Sequence, residues 1–208
     1  MKQEQYRNKS IGRLKKLKVN IPNHLPLLES EEELSPKSLA DITGKISALG
    51  YVIGMGYTDD TKRLIKNIKK YNLWPYVSKH EKMCLKKPKL ISKQDRINFQ
   101  WLCECIYALA WCLSIVDLNP KLGCPDDLAD MTVPGQDVDV FRSDKQLRPM
   151  DEIQAEADFY YCLHWHERNC RLRGRKGLIN EGVIWERRRA LDWVIGVSDD
   201  WDDMPNDT

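Results

Sequence analysis

Residues 183–195, VIWERRRALDWVI, carry charge where a helix should be apolar. At about 100° per residue, Val183, Ala190, Leu191 and Val194 share one face, and Arg187 projects from its middle with Glu186 on its flank. A second helical pattern places Met150, Ile153, Ala157, Tyr161 and Trp165 on one side, and His164 and Arg168 project from that same side. A third stretch, Leu102 to Val116, is apolar all round and contains one carboxylate, Glu104. An unpaired charge in an apolar interior is so costly that these groups are expected to meet one another. The expectation is one shared cluster of Glu104, His164, Arg168, Glu186 and Arg187, with Asp158 as a sixth member at its edge. Carboxylates and an imidazole beside guanidinium groups are the equipment of a hydrolase-like enzyme that moves protons and grips an anionic substrate. The same charges also read as a structural lock that fixes how three helices pack. No nucleophile motif, glycine-rich phosphate loop or metal signature accompanies them, which favours the lock.

Three further groups have chemistry of their own. Cys162, His166 and Cys170 recur every four residues and offer soft ligands along one helix side, but Phe159 and Leu163 share that side, so packing is the preferred reading. The tail DDWDDMPNDT holds Asp199, Asp200, Asp202, Asp203 and Asp207. Its spacing fails the calcium-loop rule, so it reads as a solvated or partner-facing acidic segment. From Lys62 to Lys93 the chain is lysine-rich, with Lys62, Lys66, Lys69 and Lys70 on a helix exterior and Tyr71, Trp74 and Tyr76 interspersed. That is the composition of a nucleic-acid surface, although the acidic second half of the chain makes this the lesser reading.

The elements that must position these groups are helices. Ser35-Pro36 marks a start for the helix carrying Leu39, Ile42, Ile46, Leu49 and Ile53. Thr58 or Asp59 is placed to cap the next helix, and Ser78 with Glu81 and Ser92 with Asp95 have capping-box spacing. The central helix extends to about Leu118. Residues 119–149 read mostly as loop, with a possible short strand at Val138–Phe141, and two last helices cover about Met150–Leu172 and Glu181–Val197. The sum is an all-α, single-domain bundle of about seven helices around Leu102–Val116. Residues 1–34 form a basic amino-terminal arm or short surface helix with an acidic linker, and 35–208 form the helical domain.

The chain has 208 residues, 42% aliphatic or aromatic and 31% charged, a globular balance. Its formal net charge is +2, yet residues 1–100 carry 21 basic and 10 acidic side chains while the rest carry 12 and 21. The halves are thus about +11 and −9, a dipole able to steer a charged partner. No signal peptide or membrane-spanning run is evident, which points to the cytoplasm and away from a membrane. Seven cysteines without regular spacing read as reduced, buried thiols, and no cofactor is implied.

Several segments carry a resemblance. Glu186-Arg187 followed by Ala190-Leu191 and Trp193, then Trp201-Asp202-Asp203 and Asp207-Thr208, resembles the end of a bacterial family catalogued as domain of unknown function 4272. Leu147-Arg148-Pro149 with Glu152-Ile153, Asp158 and Trp165, the Trp101–Trp111 stretch with Glu104, and Ser10 through Pro26 are similar to its other segments. The resemblance implies a bacterial, largely helical domain and brings no activity, cofactor or catalytic residue with it. Function is therefore read from the residues. A non-enzymatic module that binds another protein is expected, most concretely an immunity protein that neutralises a bacterial toxin, with the acidic tail or the Lys62–Lys93 face at the contact.

Overall fold

A computed structural model describes residues 2–132 and 135–206, so Asp207 lies outside the described residues. These form α1 (Lys2–Lys16), α2 (Leu39–Val52), α3 (Thr61–Lys70), α4 (Lys79–Lys86), α5 (Lys93–Cys112), α6 (Leu128–Thr132), α7 (Val138–Arg142), α8 (Met150–Leu172) and α9 (Glu181–Ile195), and no strand. The all-α reading holds. The two short helices α6 and α7 fall where a loop and a possible strand were expected. Val138-Asp139-Val140-Phe141 alternates like a strand, but Asp137 accepts a hydrogen bond from the Asp139 amide and starts a helical turn that buries Val138 and Phe141.

Helix starts follow side-chain chemistry. Ser78 with Glu81 and Ser92 with Asp95 each form a complete capping box. The expected start at Ser35-Pro36 is displaced to Ser38, which forms its own box with Asp41. The residues before it are committed elsewhere: Ser35 and Lys37 donate their amides to Gly196 and Val194 carbonyls at the end of α9. Asp60, rather than Thr58 or Asp59, caps α3. The central helix stops at Cys112, short of Leu118, and the chain turns through Ser114 at φ 58°. Gly196 ends α9 in the left-handed region at φ 87°, and a Cβ there would sit 2.1 Å from the Ser35 carbonyl oxygen.

Helix α9 packs on α5 on one side and on α8 on another, and α1 packs on the outer side of α8. The basic amino-terminal segment is a helix, α1, in which Tyr6, Arg7, Ser10 and Leu14 are buried. The carboxy-terminal tail is also anchored. Trp201 and Met204 are buried, and Trp201 meets Trp193 edge-on with ring centroids 5.3 Å apart.

Candidate functional site

Enclosure of α9 explains the arrangement of its charges. Glu186, Arg187 and Arg188 are buried and Arg189 is nearly so, because this helix has neighbours on every side. Consecutive residues point about 100° apart, so Arg187, Arg188 and the Glu186–Arg189 pair meet different neighbours. The expected single cluster is consequently divided into three networks.

The first network is the deepest. Arg187, fully buried, donates to Glu104 Oε2 from Nη2 at 2.7 Å and Nε at 2.9 Å. Its remaining donors reach the Asn119 and Leu122 carbonyls, both at 2.6 Å, and the Tyr160 hydroxyl at 3.3 Å. Glu104 Oε1 accepts the Cys124 amide at 2.9 Å, and the guanidinium carbon stands 4.8 Å from the Tyr107 ring centroid. Burial opposes charge on Arg187, but Tyr160 and Glu104 outweigh it, and its pKa lies above the ordinary arginine value. Five donors are thus used on a carboxylate, a phenol and the backbone that follows α5, which ties α5, α8, α9 and residues 119–124 together.

The second network lies along α8. Asp158 is buried, and its partner is Arg7 of α1, which donates from Nη2 at 2.9 Å and Nε at 3.1 Å to Oδ1. Arg7 also reaches the Leu25 carbonyl at 2.8 Å and the Pro26 carbonyl at 2.5 Å. His164 is buried with Nδ1 3.1 Å from Arg188 Nη1, and Arg188 continues to Asp192 at 3.0 Å and over the Tyr161 ring at 4.7 Å. Arg168 does not join any of these. It sits one turn beyond His164, where α8 reaches solvent, and donates to the Asn206 carbonyl at 3.2 Å.

The third network surrounds the tail. Glu186 accepts from Arg189 at 3.1 Å and from the Cys105 thiol at 3.0 Å. Lys45 and Glu81, both buried, pair at 3.0 Å. Burial lowers the Lys45 pKa against the pull of Glu81. Lys45 Nζ stands 4.3 Å and the Arg189 guanidinium carbon 4.7 Å from the Trp201 ring centroid. The acids beside Trp201 are partly used within the fold: Asp199 pairs with Lys37, Asp200 with Lys79 at 3.2 Å, and Asp202 accepts the His80 amide at 2.8 Å. Asp203 is exposed.

Cys162, His166 and Cys170 do not converge. Cys162 faces Asp158 at 3.9 Å and its pKa is pushed up to about 12 by burial and by that carboxylate, while His166 and Cys170 touch each other at 3.5 Å. Among the described residues the metal-capable group is a different one, Cys103, Glu104 and Cys124. The adjacent thiol draws the Cys103 pKa down and pushes that of Cys124 up. Both thiols line an open cavity of about 340 Å³ with Ile53, Tyr57, Ile106 and Leu128. No CxxC spacing announces them: the rest of α5 and the loop beyond it lie between Cys103 and Cys124.

Lys62, Lys66, Lys69 and Lys70 are exposed on α3, and Lys86, Lys87, Lys89 and Lys93 are exposed on and after α4. None of them enters an ion pair among the described residues. Lys69, Lys82 and Lys86 stand 5.5 Å, 5.8 Å and 5.6 Å from the Trp74 ring centroid, so α3 and α4 present one continuous basic face. Met83 and Leu90 are exposed on the same segment. No helix among the described residues is long and apolar enough to cross a membrane.

The model of the family described as Domain of unknown function (DUF4272) matches residues 6–204. No curated protein and no solved structure matches the chain.

Proposed function

Since the chain belongs to the DUF4272 family, whose description assigns no activity, we propose from its surface that it is a cytosolic, non-enzymatic module that binds an acidic protein through the Lys62–Lys93 face. The most concrete form is a bacterial immunity protein that neutralises a cognate toxin by direct contact. One observation carries the reading: eight exposed lysines on this face have no carboxylate partner among the described residues, whereas Asp199, Asp200 and Asp202 of the tail are engaged within the fold. Uncompensated charge of one sign attracts a partner of the other and accelerates encounter. The hydrolase-like alternative draws on Glu104, Glu186, His164, Arg168 and Arg187; Arg187 bonds Glu104, while His164, Arg168 and Glu186 bond other groups, which favours the binding reading.

Co-expression with the product of the adjacent gene is the test. A stable complex that abolishes that product's toxicity is expected, and K69E/K86E should weaken it about tenfold or more at low salt. Full toxicity in the presence of this protein rejects that partner. A second reading, single-stranded nucleic acid, draws on Trp74 among its lysines, an aromatic platform in a basic setting. Salt-dependent binding of a mixed-sequence oligonucleotide, lost in Trp74→Ala, would select it instead.

A further inference from the structure

We propose that Cys103, Cys124 and Glu104 form a binding site for one thiophilic divalent cation of the zinc class, with the fourth coordination position facing the adjoining cavity. The two Sγ atoms and a Glu104 carboxylate oxygen lie within 4.8 Å of one another. Tetrahedral zinc with two sulfur ligands and one oxygen ligand requires ligand atoms about 3.6–3.8 Å apart, so the three need close by only about 1 Å. Two thiolates, a carboxylate, the Arg187 guanidinium and a divalent ion sum to zero charge, as an interior site demands.

The surroundings hold the carboxylate ready. Arg187 takes Oε2 through two hydrogen bonds, while Oε1 accepts the Cys124 amide and keeps a second lone pair. This is the outer-shell support that fixes a ligand's orientation. Gly123 leaves room beside it, since a Cβ there would lie 3.3 Å from Oε1. Cys103 and Cys124 are each partly exposed on the wall of the 340 Å³ cavity, which gives an ion its route in and a solvent ligand its place. Bound metal would fasten residues 119–124 to α5, at the same point where Arg187 holds their carbonyls.

Titration of the reduced, metal-free full chain with Co(II) tests this. One equivalent should bind and give the intense ultraviolet band of thiolate-to-cobalt charge transfer. Cys103→Ser and Cys124→Ser should each weaken binding about tenfold or more and reduce the band, and Cys162→Ser should leave both unchanged. Because the serine variants replace partly exposed thiols, their metal-free melting should match the parent. Zinc should raise the parent's melting temperature and raise that of Cys103→Ser and Cys124→Ser by clearly less. No charge-transfer band in the parent, a band that survives both serine changes, or equal zinc shifts in parent and variants would overturn the site. So would capture of the pair as a disulfide that forms no metal complex after reduction.

Discussion

Replacing Arg187 by methionine keeps most of the side-chain volume and deletes the charge. In the parent this guanidinium makes five hydrogen bonds, two to Glu104 and one each to Asn119, Leu122 and Tyr160. The variant leaves Glu104, 3% exposed, with the Cys124 amide alone, and deprives two backbone carbonyls of donors. Breaking a buried ion pair by removing one partner costs about 3–5 kcal/mol. For a chain of this size each kcal/mol moves the melting temperature about 2–4 °C, so Arg187→Met should melt roughly 6–20 °C lower. Arg187→Lys should fall between, since a lysine keeps the charge but cannot span the fork of partners. Thermal unfolding followed by circular dichroism, checked by urea midpoints with an unchanged slope, reads both. A melting temperature within about 2 °C of the parent would refute the claim that this charge is enclosed and fully used.

Ser92→Ala should cost about 1 kcal/mol by opening the α5 capping box. Ser92 holds the Asp95 pKa below its ordinary value, first through its hydroxyl and then through its amide. The parent's stabilisation from this carboxylate is therefore present above pH 3.8 and lost as pH falls through the lower folded value, and Ser92→Ala, which keeps only the amide, should show a smaller acid-side loss. Glu167 has the opposite sign. Burial raises its pKa above 4.5, so its cost is absent in acid and grows as pH rises through the folded value; stability of Glu167→Gln from pH 4 to 7 should show a smaller decline than the parent. Gly196→Ala should destabilise by at least about 1–3 kcal/mol in urea titration, because φ is 87° and the added methyl group meets the Ser35 backbone. Lys69→Glu and Lys86→Glu should leave the urea midpoint nearly unchanged, within about 0.5 kcal/mol, because both side chains are exposed.

Much of the scaffold was legible because its signals are local. The Ser78 and Ser92 boxes and the start of α9 at Asn180 rest on groups a few residues apart, and Met150–Leu172 follows an apolar helical period. The meeting of Glu104 with Arg187 followed from burial cost alone. The division into three networks did not, because a helical wheel drawn with one apolar face cannot show that α9 is enclosed all round. Arg7 was hidden by its neighbours Lys9, Arg13, Lys15 and Lys16, whose composition describes a solvated arm, while its own position faces α8 and Asp158. Arg168 shares the His164 side of the wheel, but the wheel does not show where the neighbouring helices end. The tail's composition likewise concealed Trp201, the anchor that draws its aspartates toward Lys37, Lys79 and His80. Cys103 and Cys124 are brought together by the left-handed turn at Ser114 and the loop beyond it, which carries no periodic signal.

The central claim is that the four adjacent charges on α9 are divided among three networks rather than gathered in one site. Double-mutant cycles on urea unfolding test it most directly. Arg187→Met with Glu104→Gln should show a coupling of about 1–3 kcal/mol, while Arg187→Met combined with His164→Gln should be additive to within about 0.5 kcal/mol. Equal, strong coupling in both pairs would mean that these residues share one cluster, and would contradict the account.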